Sequence, residues 1–250
     1  YQLHPEHIIR VAFSRSLRSP TLLEAQQKQV IRYNENIILD ASVISDAEIN
    51  NERLRSFEVG YLGYLFNRKL SFDMRLFREQ LTDVINERRS GYPDLDNFVN
   101  IRDNTDRFNV DGFEIQTQYR PNQRFMLRAH YSYSDIDGDT IYTSPPALEI
   151  RDLGIHSLKH GAGLLASYYF DNGVTLSSMA SYSSATEHYR GTAVENHTRI
   201  DLKASKRWTM NSSKVDLSLI VQNAGEPYSE FYSYNQFKTQ YVLGLKVLMP

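Results

Sequence analysis

Apolar and polar residues alternate with a period of two along most of this chain, the pattern of a β-strand with two different faces. In residues 124–134, Phe125, Leu127, Ala129, Tyr131 and Tyr133 share one face, while Arg124, Arg128, His130 and Ser132 take the other. Residues 69–76 repeat the pattern, with Leu70, Phe72, Met74 and Leu76 against Lys69, Ser71, Asp73 and Arg75. Residues 214–222 align Val215, Leu217, Leu219 and Val221, and residues 240–249 align Tyr241, Leu243, Leu245, Val247 and Met249. Similar patterns cover residues 7–14, 54–66, 108–120, 159–170, 174–183 and 198–208. Together they predict about ten strands, several of about ten residues or longer, as tilted membrane strands require.

The connections differ sharply in length. Short turns at Asn67-Arg68, Pro121-Asn122-Gln123, Asp171-Asn172 and Met210-Asn211-Ser212 alternate with long polar segments at 16–53, 83–105, 136–157, 185–196 and 224–237. Short turns at one end and long loops at the other describe an all-β, antiparallel transmembrane barrel of the outer-membrane type. Soluble sandwiches place turns every 8–12 residues or so, much closer than here. Function is then expected on the long-loop end and in the lumen. Within the longest segment, residues 24–33 are expected to form a short helix, and Gln26-Gln27-Lys28-Gln29 to be a solvated face.

The polar strand faces carry Glu58, Asp73, Arg75, Glu114, Arg128, Arg199, Asp201, Lys203 and Asp216. Neither a dry core nor lipid tolerates such a face, so it meets either bulk solvent or a wet lumen. Strand length and lopsided loops favour the lumen. Phe66, Tyr119, Phe170 and Trp208 stand at strand ends beside short turns, as an interfacial aromatic girdle would. On that orientation the first strand runs outward, the last runs inward, and the C-terminal end falls on the periplasmic side.

Composition adds bounds. With 28 basic and 30 acidic residues there is no electrostatic case for a nucleic-acid partner. No stretch reaches the roughly 20 apolar residues of a membrane helix, which leaves barrel strands untouched because their alternation averages out. Without cysteine there are no disulfides or thiolate metal sites. The 17 tyrosines and 12 phenylalanines suit a membrane interface. The opening Tyr1-Gln2-Leu3 carries no secretion signal, so a fragment or processed chain is expected.

Candidate chemistry is sparse. Asp135-Ile136-Asp137-Gly138-Asp139-Thr140 looks like a calcium loop, but its glycine is misplaced and Pro146 stands where a bidentate Glu belongs; a polar loop tip is the better reading. His156 and His160 straddle a loop-to-strand junction, and His4 and His7 lie beside a turn, so neither pair has helical ligand geometry. No nucleophile elbow, Walker loop or dinucleotide fingerprint occurs. Asp94, Asp96 and His156 supply residue types for a rim protease without a sign that they converge. No catalytic residue, metal ligand or cofactor is therefore assigned. Ligand-contact candidates lie in the loops: Tyr228, Phe231, Tyr232 and Tyr234 in an aromatic connection expected to be exposed, with Tyr142, Arg151 and Arg89 available for an anionic ligand.

Several stretches carry a resemblance. Phe13-Ser14-Arg15-Ser16-Leu17-Arg18-Ser19-Pro20-Thr21-Leu22-Leu23-Glu24 has a strand ending in Ser-Arg, then Arg-x-Pro-Thr and a Glu. Downstream come Phe57-Glu58-Val59-Gly60-Tyr61, the strand from Leu70 to Ile85 with Phe77 and Val84-Ile85, and Gly112-Phe113-Glu114. In order and spacing these resemble the C-terminal half of the barrel of TonB-dependent outer-membrane receptors. The resemblance implies that residues 1–250 are one partial barrel domain, about ten closing strands of a 22-stranded barrel. It also implies an N-terminal plug domain as partner, TonB acting through that plug, surrounding outer-membrane lipid, and energy-coupled import of a ferric siderophore or similar chelate. On this reading Glu58, Asp73, Arg75, Glu114, Arg128, Arg199, Asp201 and Lys203 face the lumen and plug. Family members usually end their last strand on an aromatic residue, whereas this chain ends Leu248-Met249-Pro250, so either the natural end lies further on or the assembly signal is atypical. The alternatives are a self-contained barrel acting as a porin or surface protease, and a soluble all-β binding module.

Overall fold

The computed structural model describes residues 2–34, 37–45, 48–91, 98–144, 147–152, 157–188, 192–210, 213–230 and 234–248. Its first strands are β1 (Gln2–His4), β2 (His7–Arg18), β3 (Lys28–Asn34), β4 (Ile37–Ser45), β5 (Glu52–Leu65), β6 (Leu70–Gly91), β7 (Phe98–Tyr119) and β8 (Phe125–Asp137). Then come β9 (Asp139–Ser144), β10 (Ala147–Asp152), β11 (His160–Tyr169), β12 (Val174–Ser183), β13 (Thr186–His188) and β14 (Thr192–Val194). The chain finishes with β15 (His197–Met210), β16 (Ser213–Gln222), β17 (Tyr228–Ser229), β18 (Gln236–Phe237) and β19 (Gln240–Leu248). A single turn of helix, α1 (Leu22–Gln26), lies in the first long connection.

The order β1-β2-β5-β6-β7-β8-β11-β12-β15-β16-β19 is an up-and-down meander in which each strand pairs antiparallel with the next. All the strands expected from alternation form, in order. The sheet is open at both ends, a curved portion of barrel wall.

The register sorts the two faces. Val11, Val59, Leu76, Phe113 and Tyr133 form one cross-strand rung, and Arg10, Gly60, Arg75, Glu114 and Ser132 form the next on the opposite face. Among the described residues only Val194 and Tyr228 are buried hydrophobics, while Phe13, Leu76, Leu243 and Leu245 stand open on the apolar face. An uncovered apolar wall of this extent is stable only against another apolar phase, and closing the sheet turns that face to lipid and the ionic face inward. From Phe57 to Leu65 the strand rises about 27 Å at roughly 3.4 Å per residue. A tilt of about 40° reduces that to about 21 Å, close to the apolar band of such barrels. Tyr119 and Trp208 pair with Leu70 and Val215 on this apolar face, next to the short turns, as a girdle requires.

Above the Phe13–Phe57 pair the outward rung turns polar: Arg15, Arg55, Gln80, Asn109 and Asp137. The strands nevertheless continue, and this corrects three expectations. Much of residues 83–105 is strand rather than loop, since β6 and β7 run on as a long hairpin beyond the apolar band. Asp135 and Asp137 belong to β8, opposite Asp111 and Asn109, instead of forming a loop tip. A Cβ on Gly138 would lie 2.5 Å from the Arg107 carbonyl oxygen, so this glycine permits the close approach of two backbones. The helix spans Leu22–Gln26 rather than residues 24–33, because Thr21 and Glu24 form a capping box that sets an early start. Residues from Lys28 onward pair as the β3–β4 hairpin.

Candidate functional site

Two regions carry the polar chemistry: the ionic face of the wall, and the connections at the long-loop end. On the face, Arg75 bridges Glu58 (3.4 Å) and Glu114 (3.3 Å) with its guanidinium 4.7 Å from the Phe77 ring centroid. Arg10 pairs with Asp73, and Arg128 donates to Gln118 at 2.8 Å. Toward the other edge, Arg207 grips Asp216 at 2.6 and 2.8 Å. Lys203, Arg207, Asp216 and Lys246 line a cavity of about 610 Å³ near the short turns. These partly exposed pairs add little stability individually, but the guanidinium groups of Arg10, Arg75 and Arg207 are each oriented by a carboxylate. Every lumen candidate from the sequence therefore sits on one face: Glu58, Asp73, Arg75, Glu114, Arg128, Arg199, Asp201 and Lys203. Arg10 and Arg207 join them; both are legible in hindsight as residues in phase with Ala12 and Ser205 on the same strands.

At the loop end, Asn223 organises the connection between β16 and β19. It is only 3% exposed, and its φ of +48° turns the chain out of β16. Its N–H donates to Asp201 Oδ1 (2.9 Å), and its amide Nδ2 donates to the carbonyls of Glu226 (3.1 Å) and Phe237 (2.8 Å). Asp201 also takes a two-pronged bond from Arg199 at 2.8–3.1 Å. Tyr228 stacks between His197 (4.3 Å) and Phe237 (5.2 Å). Beside this stack opens a cavity of about 650 Å³, walled by Val194, His197, Ile200, Pro227, Tyr228 and Gln236.

The ligand-contact candidates fare unevenly. Tyr228, expected in an exposed connection, is 8% exposed and acts as a wall, because its ring is stacked against His197 and Phe237. Tyr234 stands open at 76% exposure. Phe231 and Tyr232 lie outside the described residues. Tyr142 and Arg151 occupy the β9–β10 ladder opposite Glu149 and Thr140, and their side chains, like that of Arg89, lie outside the described part. His156, Asp94 and Asp96 are likewise outside it. His160 contacts the Tyr131 hydroxyl at 2.8 Å, and His7 contacts that of Tyr61 at 2.8 Å. Among the described residues no three His, Asp or Glu side chains converge as a metal site. Asn223 was invisible to alternation; the turn chemistry of Asn-Ala-Gly after a strand is the signal that marks it.

The first long connection is latched to the wall. Arg18 forks between Glu24 (3.0–3.1 Å) and Glu52, while Glu52 accepts the Ile85 N–H at 2.9 Å. Arg102 pairs with Glu87 and donates to Gln27 Oε1 at 3.1 Å, and Asn104 exchanges bonds with Asn50 (2.6 and 3.0 Å). In α1 the Thr21 N–H, the Thr21 hydroxyl and Arg18 hold the Glu24 carboxyl below the ordinary value of 4.5. A lowered folded pKa gives stability that is complete above the ordinary value and drains as pH falls through the folded one. The helix is accordingly expected to lose protection of its Ala25 and Gln27 amides as pH falls below the ordinary carboxyl value of 4.5. Glu24→Gln is expected to flatten that dependence. Constant exchange protection across this window would contradict the latch.

The comparisons with known proteins agree with this geometry. The family TonB dependent receptor-like, beta-barrel matches residues 1–224, and the chain belongs to that family. No curated protein sequence matches it. Among solved structures, the siderophore receptor PiuA from Acinetobacter baumannii aligns at TM-score 0.65 and 19% identity, over 99% of this chain and 34% of that receptor. The FrpB iron transporter from Neisseria meningitidis aligns at 0.69 and 14% identity, over 99% and 37%. The ferric-catecholate import receptor Fiu from K12 E. coli aligns at 0.68 and 14% identity, over 99% and 33%. The chain thus spans about a third of the length of these receptors, and at such identities they share its fold.

Proposed function

We propose that this chain is the closing part of an outer-membrane receptor that imports a scarce nutrient in a TonB-dependent manner, with a ferric siderophore or similar metal chelate as cargo. The observation that carries the reading is the pairing of an aromatic-walled cavity at the loop end with the ion pairs Arg199–Asp201 and Arg207–Asp216 on the polar face beneath it, on the barrel of this family. A rigid, polar chelate fits such a rim: rings supply flat contact area, and fixed amides and guanidinium groups supply hydrogen bonds. The lumen charges would seat a plug domain and keep the passage wet, and TonB would act through that plug. A siderophore receptor and an iron transporter among the structural neighbours support the iron class, and the similarly folded copper transporter OprC makes another metal the competing cargo.

The test is uptake. Cells carrying the full-length gene as their sole receptor are expected to accumulate radiolabelled iron from a panel of siderophores, and to stop when TonB is deleted. Uptake that persists without TonB would favour a passive pore.

A further inference from the structure

On the outward face, just above the apolar band, stands a cationic cluster that the import reading leaves unused. Arg15 and Arg55 are directly opposite each other in the β2–β5 ladder, a placement that puts their Cβ atoms about 5 Å apart and sets like charges against each other. Neither makes an ion pair or side-chain hydrogen bond among the described residues. Arg55 is the informative one, because it lies in an interior strand whose neighbours on this face are all present. Arg15 and Gln80 are opposite it, Arg53 and Phe57 flank it along β5, and Arg78 is diagonal. Of the acids nearby, Asp111 is engaged with Arg78 (2.5 and 2.7 Å) and Asp83 with Arg53 (3.5 Å), while Asp137 stands three strands away from Arg55 along the rung. Two guanidinium groups are thus left facing one another without an anion.

The surroundings specify what the anion is attached to. Immediately below, Phe13 and Phe57 pair across the same two strands, with Phe13 73% exposed, and Val11 and Val59 continue the apolar surface. A cavity of about 400 Å³ opens here between Phe13, Phe57, Arg55, Arg78 and Gln80. Its far wall holds Asn109 and Asp137, two and three strands away from Arg55 along one rung. A free anion needs no apolar floor, and a simple hydrocarbon needs no arginines. A phosphate held by two forked guanidinium groups, with acyl chains on the phenylalanines and hydroxyls reaching Gln80, Asn109 and Asp137, uses every part.

We propose that the outward face at Arg15 and Arg55 is a binding site for a phosphorylated glycolipid of the surrounding membrane. The phosphate sits between the two arginines, and the acyl chains lie along Phe13, Phe57 and Val11. The bound phosphate neutralises a repulsion built into the β2–β5 pair, so the lipid fastens these strands together at the membrane boundary. The site rests on the membrane placement proposed above.

The test uses the full-length receptor in detergent, stripped of lipid and then offered three probes: hexa-acyl lipid A with two phosphates, its dephosphorylated form, and inorganic pyrophosphate. Native mass spectrometry reads the bound species. Wild type is expected to hold the phosphorylated lipid at least about tenfold more tightly than the dephosphorylated one, and the R15Q/R55Q variant is expected to lose that preference. Equal retention of the two lipids by wild type would overturn the proposal without reliance on any variant. Displacement of the lipid by equimolar pyrophosphate would assign the cluster to a free anion and overturn the lipid. A heat-modifiable barrel lacking the preference defeats this inference alone; a protein that stays in solution without detergent defeats the membrane placement as well.

Discussion

Replacing Gly112 with valine is expected to cripple assembly of the wall. Gly112 lies in β7 between Phe77 of β6 and Ser134 of β8. A Cβ there would stand 2.5 Å from Phe77 Cζ and 2.5 Å from the Tyr133 carbonyl oxygen. The phenyl ring can rotate away, but it then abandons its contact with the Arg75 guanidinium on the ionic face. The carbonyl belongs to the β7–β8 ladder and moves only if that pairing is disrupted. Overpacking and a strained ladder bond together cost about 2–4 kcal/mol, a large fraction of ordinary fold stability. The heat-modifiable fraction of the full-length protein, with urea unfolding in detergent, reads the effect. Gly112→Ala is expected to fall between wild type and valine. A valine variant that assembles at wild-type yield would show that the ladder yields more easily than this geometry allows.

Asn223→Ala is expected to spare the barrel and spoil the rim. The substitution deletes the two bonds from the amide to the Glu226 and Phe237 carbonyls, and it leaves alanine at a φ of +48°. Losing two buried hydrogen bonds and straining a left-handed position together cost about 2–4 kcal/mol locally. Tyr228, whose ring is stacked against His197 and Phe237, then loses its fixed place in the cavity wall. Binding of the chelate proposed above as cargo is expected to weaken by at least about tenfold, while heat-modifiable migration stays at the wild-type position. Asn223→Gly is the informative companion, since it keeps the backbone conformation and removes only the side-chain bonds. Unchanged affinity in both variants would remove the rim cavity from the ligand path.

Strand positions were legible wherever the two faces of the wall meet different media. Val11, Val59 and Leu76 face hydrocarbon, while Arg10, Gly60 and Arg75 face the ionic side; that contrast writes a period of two into the chain. Beyond the Phe13–Phe57 rung both faces are polar, and the contrast disappears. The outer halves of β6 and β7 and the β9–β10 hairpin read as loop for that reason, although their backbones pair too, in β6–β7 past a register shift between Leu81 and Ile85. The early start of α1 was written in Thr21 and Glu24, a local signal that a search for helical periodicity passes over.

Alternation along the chain by itself determined the order of the strands, which side chains share a face, and which end carries the short turns, because each is a matter of neighbours in sequence. It could not determine which residues of distant strands would meet. The stacking of His197, Tyr228 and Phe237, the hold of Asn223 on Asp201, and the confrontation of Arg15 with Arg55 each join residues from different strands or connections. Ladder register decides such meetings, and a slip of one residue would turn each strand's faces over. Only the folded sheet sets that register, since it is the one arrangement that puts every apolar rung on the same side at once.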